Sequence, residues 1–491
     1  MSRRKQSHRS NGRGRCENRP HRKNKTPFKG LLNWLIPEGE LFTKDRFHGN
    51  IKWTPEQLAQ QATIWAWQNT SNVTDAFAMA SEACEDLRIE KGAKTYTAFI
   101  NALDRYRGTF TLRLGRQFHA LAEEVAGRFW REDRWVLMGF DGSRVTVPRT
   151  VSNEKEFCAP NYGNGMTAKY RKKKTKGMRR RKNEKNKPQP QSPQTWITMM
   201  WHMTLRLPWT WRLGPSNSSE RGHVMEMLQQ EKIPENTLFC GDAGFIGYDF
   251  WKAILAAGGN FLVRVGANVN LLSETADIKR LGGGIVLCWP KNKMNSGAAP
   301  LRLRLLKVKI GKTVMWMLTS VLDRKTLPNR KIIKYYKMRW GVEVEYRGLK
   351  QTIDKRTLRC RNSHRVYVEL DWSIRAMAFA ELLALREQIP EDPKSRTQPK
   401  DSYETKDRSL AKSVRALRAC MRNLNKYADS SSDVQFALSK ALVQKYRNQT
   451  DKKARYRRKN PDKKPLGDPS VRRLNRQELE KLRKHKAHLA A

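Results

Sequence analysis

Nowhere do about 18 apolar residues run together, the length a helix needs to cross a bilayer, so the sequence offers no membrane span. Close cysteine pairs are missing too. The seven cysteines (Cys16, Cys84, Cys158, Cys240, Cys288, Cys360 and Cys420) stand singly, which leaves no zinc ligand set and, being odd in number, suits no disulfide framework. This usage implies a reducing cytosol. The basic N-terminus MSRRKQSHRSNGRGRCENRPHRKNK leads into no apolar core region and no small-residue cleavage site, which argues against secretion. Internal repeats are absent. Acid is scarce: 47 Asp and Glu face 98 Lys and Arg, a net charge of +51 over 491 residues. That excess is far beyond what solubility requires and points to a polyanionic partner, best met by nucleic acid.

What is present can still build a core. Apolar residues make up 38% of the chain and include 15 Trp, enough for two or three structural units. Residues 1–30 read as a disordered basic arm, equally readable as a nuclear signal or a solubilising tail. A helical domain is expected over 31–130. Its clearest start is Thr-Pro-Glu-Gln, with Thr54 as N-cap, Pro55 at the first helical position and Gln57 completing a capping box. Leu58, Ala62 and Trp65 then share a face, as do Phe118, Leu121, Val125 and Phe129.

From Trp135 the pattern changes to short apolar runs. WVLMGFDGSRVTV reads as a buried strand carrying an acid, Asp141, and LFCGDAGF as a second, carrying Asp242. Between them lie a Lys- and Arg-packed loop at 169–187, strands in WITMMWHMTLRL and WTWRLG, and a helix starting near Ser219. GYDFWKAILAAGG predicts a helix closed by Gly258 and Gly259 and followed by the strand FLVRV. A β-rich insertion is expected at 276–322, where LRLRLLKVKI and TVMWMLTSV form a hairpin about Gly311 and Lys312. One long helix from about Asn329 to Gln351 comes next, then an apolar helix from Val366 to about Gln388. Residues 391–491 form a basic helical or disordered region, in which Leu410, Val414, Leu417, Met421 and Leu424 line one stripe.

In YKMRWGVEVEYRGLK, Tyr336, Arg339, Glu343 and Lys350 sit at offsets of 0, 3, 7 and 14. At about 100° per residue they fall within roughly 60° on a helix, and Arg347 and Trp340 lie beside them, whereas Glu345 points to the opposite side. A solvated face of charge pairs would produce the same pattern. Asp141 taken alone reads as an Asp-Gly turn residue, and Asp242 as a strand-end cap. His202 and His223 are set aside as catalytic bases, because metal-activated water requires no histidine. Cys240 reads as a small buried hydrophobe.

Tyr-x2-Arg-x3-Glu-x6-Lys, with GFDGSRVTVP and GDAGFIGYDF upstream, resembles the bacterial insertion-sequence transposases of the insertion-sequence-four group, relatives of the Tn-five transposase. The resemblance covers roughly residues 135 to 385. It implies an α/β fold with an RNase H-like catalytic core over 131–390 and a DDE site of Asp141, Asp242 and Glu343. These acids would hold two Mg²⁺ ions, or Mn²⁺ in their place, about 3.5 to 4 Å apart, for phosphoryl transfer. Without a cation, three gathered carboxylates would repel one another and raise their own pKa values.

The resemblance also assigns DNA contacts to Arg264, Tyr336, Arg339 and Lys350. Arg347 and Trp340 join them by their position, Trp340 as a base-stacking surface. Members of the group that form DNA hairpins receive a flipped base on an aromatic of the inserted β-segment; the corresponding strand here offers Met315 and Trp316, with the register between them open. The block SERG at Ser219–Gly222 matches the group without a role attached. The activity implied is cut-and-paste transposition of double-stranded DNA by a homodimer bridging two element ends, in the cytoplasm of a prokaryotic host. Helices after residue 405 are candidates for the dimer surface. Competing readings are another RNase H-like nuclease, a domesticated DNA-binding relative, and a structural RNA-binding protein. The last leaves the acid-bearing strands unexplained and lacks RNA-module motifs.

Overall fold

Helices Phe28–Leu35, Pro55–Trp67, Val73–Asp86, Tyr96–Arg105 and Arg107–Ala126 open the chain. The capping box forms as expected: the Gln57 amide donates to Thr54 Oγ1 at 3.2 Å, and the Thr54 amide to Gln57 Oε1 at 2.8 Å. The computed structural model describes residues 28–89, 92–158, 192–275, 278, 280–310, 313–389, 403–422, 432–443 and 466–490. The N-terminal arm up to residue 27 and the Lys- and Arg-rich loop at 169–187 lie outside the described residues.

Strands β1 (Val136–Thr146), β2 (Gln194–His202), β3 (Leu207–Gly214), β4 (Thr237–Gly241), β5 (Asn260–Val265), β6 (Asn270–Ser273), β7 (Gly283–Cys288), β8 (Leu301–Ile310), β9 (Thr313–Thr319) and β10 (Ser470–Arg473) join in one sheet. Their order is β10-β6-β7-β8-β9-β5-β4-β1-β2-β3. Within it, β3-β2-β1-β4-β5 is an RNase H-like core: β1, β4 and β5 run parallel, and the β1-β2 and β2-β3 pairs are antiparallel. Helices Glu220–Gln230 and Tyr248–Ala256 supply the connections into β4 and β5. A parallel neighbour requires such a crossover.

The β-rich insertion extends the same sheet, because β9 pairs antiparallel with β5. Its β8-β9 hairpin has the expected strands, Ile310 pairing with Thr313. Three strands were not foreseen, β6, β7 and β10; β7 (Gly283–Cys288) pairs with β8 at the start of the insertion. β6 precedes the insertion, and β10, some two hundred residues later, adds to it in parallel.

Helix Ser363–Gln388 is buried on nearly every side, mostly apolar and with buried charges that are paired, Glu369 with Lys355 and Asp371 with Arg375. It unites the N-terminal helices with the sheet: Trp67 Nε1 donates to the Ala376 carbonyl at 2.8 Å, and Phe110 meets Trp372 edge-on at 5.9 Å. Helices Leu410–Arg422 and Ser432–Ser439 pack on it as well. The stripe of Val414, Leu417 and Met421 is thus covered within the chain and is not a free surface. No described helix is long and apolar enough to cross a membrane.

The single helix expected over 329–351 is two, Asn329–Met338 and Gly341–Gln351. Between them the chain tightens into i→i+3 bonds, Trp340 N–H to the Lys337 carbonyl and Glu343 N–H to the Trp340 carbonyl, both at 3.3 Å. Close approach fixes the break. A Cβ at Gly341 would lie 1.9 Å from Cη2 of the buried Trp201 on β2. Gly341→Val is therefore expected to overpack this contact and lower stability by about 1–3 kcal/mol, measured as the urea-unfolding midpoint. An unchanged midpoint would show that Trp201 does not set the break.

Candidate active site

Strand register brings the first two acids together. Gly139 on β1 pairs in parallel with Cys240 on β4. Asp141 lies two residues further along β1 and Asp242 is the first residue after β4, so the two acids come close enough for the charge of Asp242 to act on Asp141. Small residues make room for this. A Cβ at Gly241 would meet Phe140 at 2.9 Å and Phe245 at 3.0 Å, so glycine lets these rings pack directly beneath the acids. Asp242 closes a local turn, its Oδ1 accepting from the Gly244 amide at 2.7 Å.

Helix Gly341–Gln351 lies on β1. Its buried Tyr346 hydroxyl donates to the Asp141 carbonyl at 2.7 Å, and Lys350 Nζ to Ser143 Oγ at 2.8 Å. Glu343, in the first turn, is exposed on the side from which it acts on Asp141. Arg339 sits between the elements. Its stem passes Gly139, its Nη1 stands 3.7 Å from Asp141 Oδ2, and its guanidinium stacks on Tyr336 and Trp340 at 5.6 and 5.3 Å.

Burial is the main cause that raises the Asp141 carboxyl above the ordinary range, and the charges of Asp242 and Glu343 add to it. The Gly142 amide and Arg339 pull the other way without prevailing. Loss of solvation in the partly buried cleft, more than the neighbouring acids, thus outweighs the buried cation beside it.

Glu220, the first residue of its helix, belongs to the same group. Ser219 caps that helix through the Gly222 amide at 3.2 Å, and the Glu220 carboxylate lies over Gly142, where a Cβ would fall 2.2 Å from its Oε1. Burial, then Asp141 and Asp242, push its carboxyl up to about 7, with Arg144 opposing. Sequence reasoning noticed the SERG block and gave it no role. The signal that could have found it was an acid at a capped helix start combined with glycine after Asp141.

The remaining residues fall into two groups. Arg347 is exposed, and Trp340 is 54% exposed, with the Arg339 guanidinium against its ring. Tyr336 and Arg339 are buried, and burial raises the Tyr336 hydroxyl against the pull of Arg339 and Arg264. Arg264, half-buried on β5, has an Nε without a hydrogen-bond partner among the described residues. Two expectations need correction. Trp316 is 2% exposed and its Nε1 donates to Asp468 Oδ1 at 2.9 Å, so the C-terminal segment occupies the face on which it was to receive a base. The four-residue pattern does not lie on one straight helix, because the break falls between Tyr336 and Glu343; a tight turn advances about 120° per residue and changes the angles. His202 is a core residue, held by burial at about 3, and burial likewise pushes the Cys240 thiol up to about 12.

As the side chains lie, no three of the described His, Cys, Asp and Glu residues gather closely enough to ring an ion. The donor set nevertheless fits a hard divalent cation in kind. It consists of carboxylate oxygens, and glycine at 142 keeps one of them beside Asp141.

This topology is that of an RNase H-like core, with the acids at the carboxyl ends of its central parallel strands. Residues 140–379, from the first acid strand to the long buried helix, match the family described as Transposase DDE domain. No curated protein matches the chain. A cryo-EM structure of the piggyBac transposase synaptic complex with hairpin DNA is similar at 12% identity, over 87% of this chain and 88% of that one, with a TM-score of 0.39. That likeness is too loose to bear on fold or function.

Glu345 does turn away from the site, and it is buried rather than solvated. Burial, and then Glu381, push its carboxyl well above the ordinary range, while burial pushes Glu381 up to about 6 against Arg408. A buried acid with a raised folded pKa stabilises the fold below its unfolded value, here 4.5, and that contribution is lost as pH rises through the folded value. Glutamine keeps a donor for Glu381 and does not titrate. Glu345→Gln should therefore match the wild type in thermal stability near pH 4.5 and exceed it at about pH 8. An equal or lower melting temperature at the higher pH would rule out a shared proton.

Proposed function

We propose that the chain is a DNA transposase of the insertion-sequence-four group, acting by cut-and-paste on the ends of its own element. The observation that carries this reading is the approach of Asp141, on β1, and Asp242, directly after the parallel β4, with Glu343 entering from the helix across β1. Asp141, Asp242 and Glu343 would hold two Mg²⁺ ions, or Mn²⁺ in their place. Bound there, the ions would offset the charge of the scissile phosphate and supply an activated hydroxyl group.

The protein's own residues do the positioning. Arg339, buried against Asp141, holds that carboxylate in place and limits its repulsion of incoming phosphate. Lys350 braces the strand after Asp141 through Ser143. Arg347 and Trp340, on the open side, meet the DNA, one at phosphate and one by stacking. Tyr336 and Arg264 support them from below. The N-terminal helices would read the terminal inverted repeats as two copies bridge paired ends, in the cytoplasm of a bacterial host.

The test is Mg²⁺-dependent nicking of a duplex carrying the inverted repeat that flanks the gene. Asp141→Asn, Asp242→Asn and Glu343→Gln should each reduce cleavage to background and leave duplex affinity within about twofold, because the net positive surface is untouched. Glu345→Gln should cut normally. Cleavage that survives Glu343→Gln and fails in Glu345→Gln would overturn the assignment.

A further inference from the structure

We propose that Glu220 supplies a fourth carboxylate to the divalent-metal site of Asp141, Asp242 and Glu343, an inference that rests on the function proposed above. Three observations carry it. The Glu220 Oε1 occupies the space of a side chain at position 142, so Gly142, the residue after Asp141, is what admits it. Glu220 is placed by a capped helix start rather than a loop, because Ser219 fixes the first turn. Among the described residues none donates a hydrogen bond to its carboxylate, and its interactions are with Asp141, Asp242 and Arg144 through charge alone. Arg144 is a single cation against burial and two neighbouring acids, so a partly buried carboxylate held there without a donor of its own gains from a further cation.

The competing account is that Glu220 is a first-turn acid complementing the helix dipole, a role that any acid there would fill. The two accounts part at Glu220→Asp, which keeps the charge at the helix start and shortens the reach by one methylene.

Mn²⁺ binding to the purified full chain, without DNA, is measured by calorimetry for the wild type, Glu220→Gln, Glu220→Asp and Asp141→Asn, with circular dichroism establishing that each is folded. Ligation by Glu220 predicts that Glu220→Gln and Glu220→Asp both weaken Mn²⁺ by about tenfold or more, the order seen when supporting groups of metal sites are removed. In nicking assays the Mg²⁺ concentration needed for half-maximal rate should rise in parallel. If Asp141→Asn weakens Mn²⁺ and folded Glu220→Asp does not, Glu220 is a helix-end charge and the proposal falls. If Asp141→Asn itself leaves Mn²⁺ binding unchanged, the metal-site reading fails and this inference fails with it. Should Glu220→Gln not fold, Glu220→Asp decides alone.

Discussion

The parallel pairing of β1 with β4 is the constraint on which the site depends. Two carboxylates brought close on chains about 4.8 Å apart are costly to place near a sheet interior. The molecule accepts that cost by making everything beneath them apolar and exactly filled: Phe140, Phe239, Phe245 and Phe250 interlock below, with Gly241 bare to admit them. A slip of one residue in this register would turn one acid into the opposite face. The aromatic cluster is thus what keeps the register, and the register is what makes a site.

The second element, the broken helix, solves a related problem. A straight helix would carry Arg339 and Glu343 at fixed angles. The turn at Arg339–Trp340, enforced where Gly341 meets Trp201, separates their tasks. Arg339 drops into the interior against Asp141, and Glu343 stays exposed at the start of the next helix. Buried charge demands a partner, and the pairing of Arg339 with Asp141 gives each one.

Much of this was legible in the sequence. Acid-bearing apolar runs identify β1 and β4, and Thr-Pro-Glu-Gln fixes a helix start to the residue, since both are local signals with a chemical cause. The break was not legible, because a 3.6-residue periodicity continues smoothly through it and the cause is Trp201, more than a hundred residues upstream. For the same reason β10 was missed: SVRR is an ordinary polar run until the unpaired edge of β6 stands next to it. For Glu345 the angle was legible and the setting was not, since periodicity says which side a residue faces and nothing about whether that side is filled by Glu381 and Arg408. Glu220 escaped because its neighbour is a glycine, and an absent side chain leaves no pattern.

The charge balance gives these placements a common logic. With a net charge of +51, the chain attracts a polyanion from any direction, without help from the site. The cleft itself is locally acidic, and the cations nearest the acids are already engaged, Arg339 with Asp141 and Lys350 with Ser143. On the proposed reading, attraction and chemistry are therefore spatially separate. Dispersed Lys and Arg bring the duplex to the protein, and at the cleft only a cation bound among the carboxylates makes a phosphate welcome. Such an arrangement favours metal-loaded encounters over empty ones, because the same acids that would repel bare phosphate are those that concentrate the ion it needs.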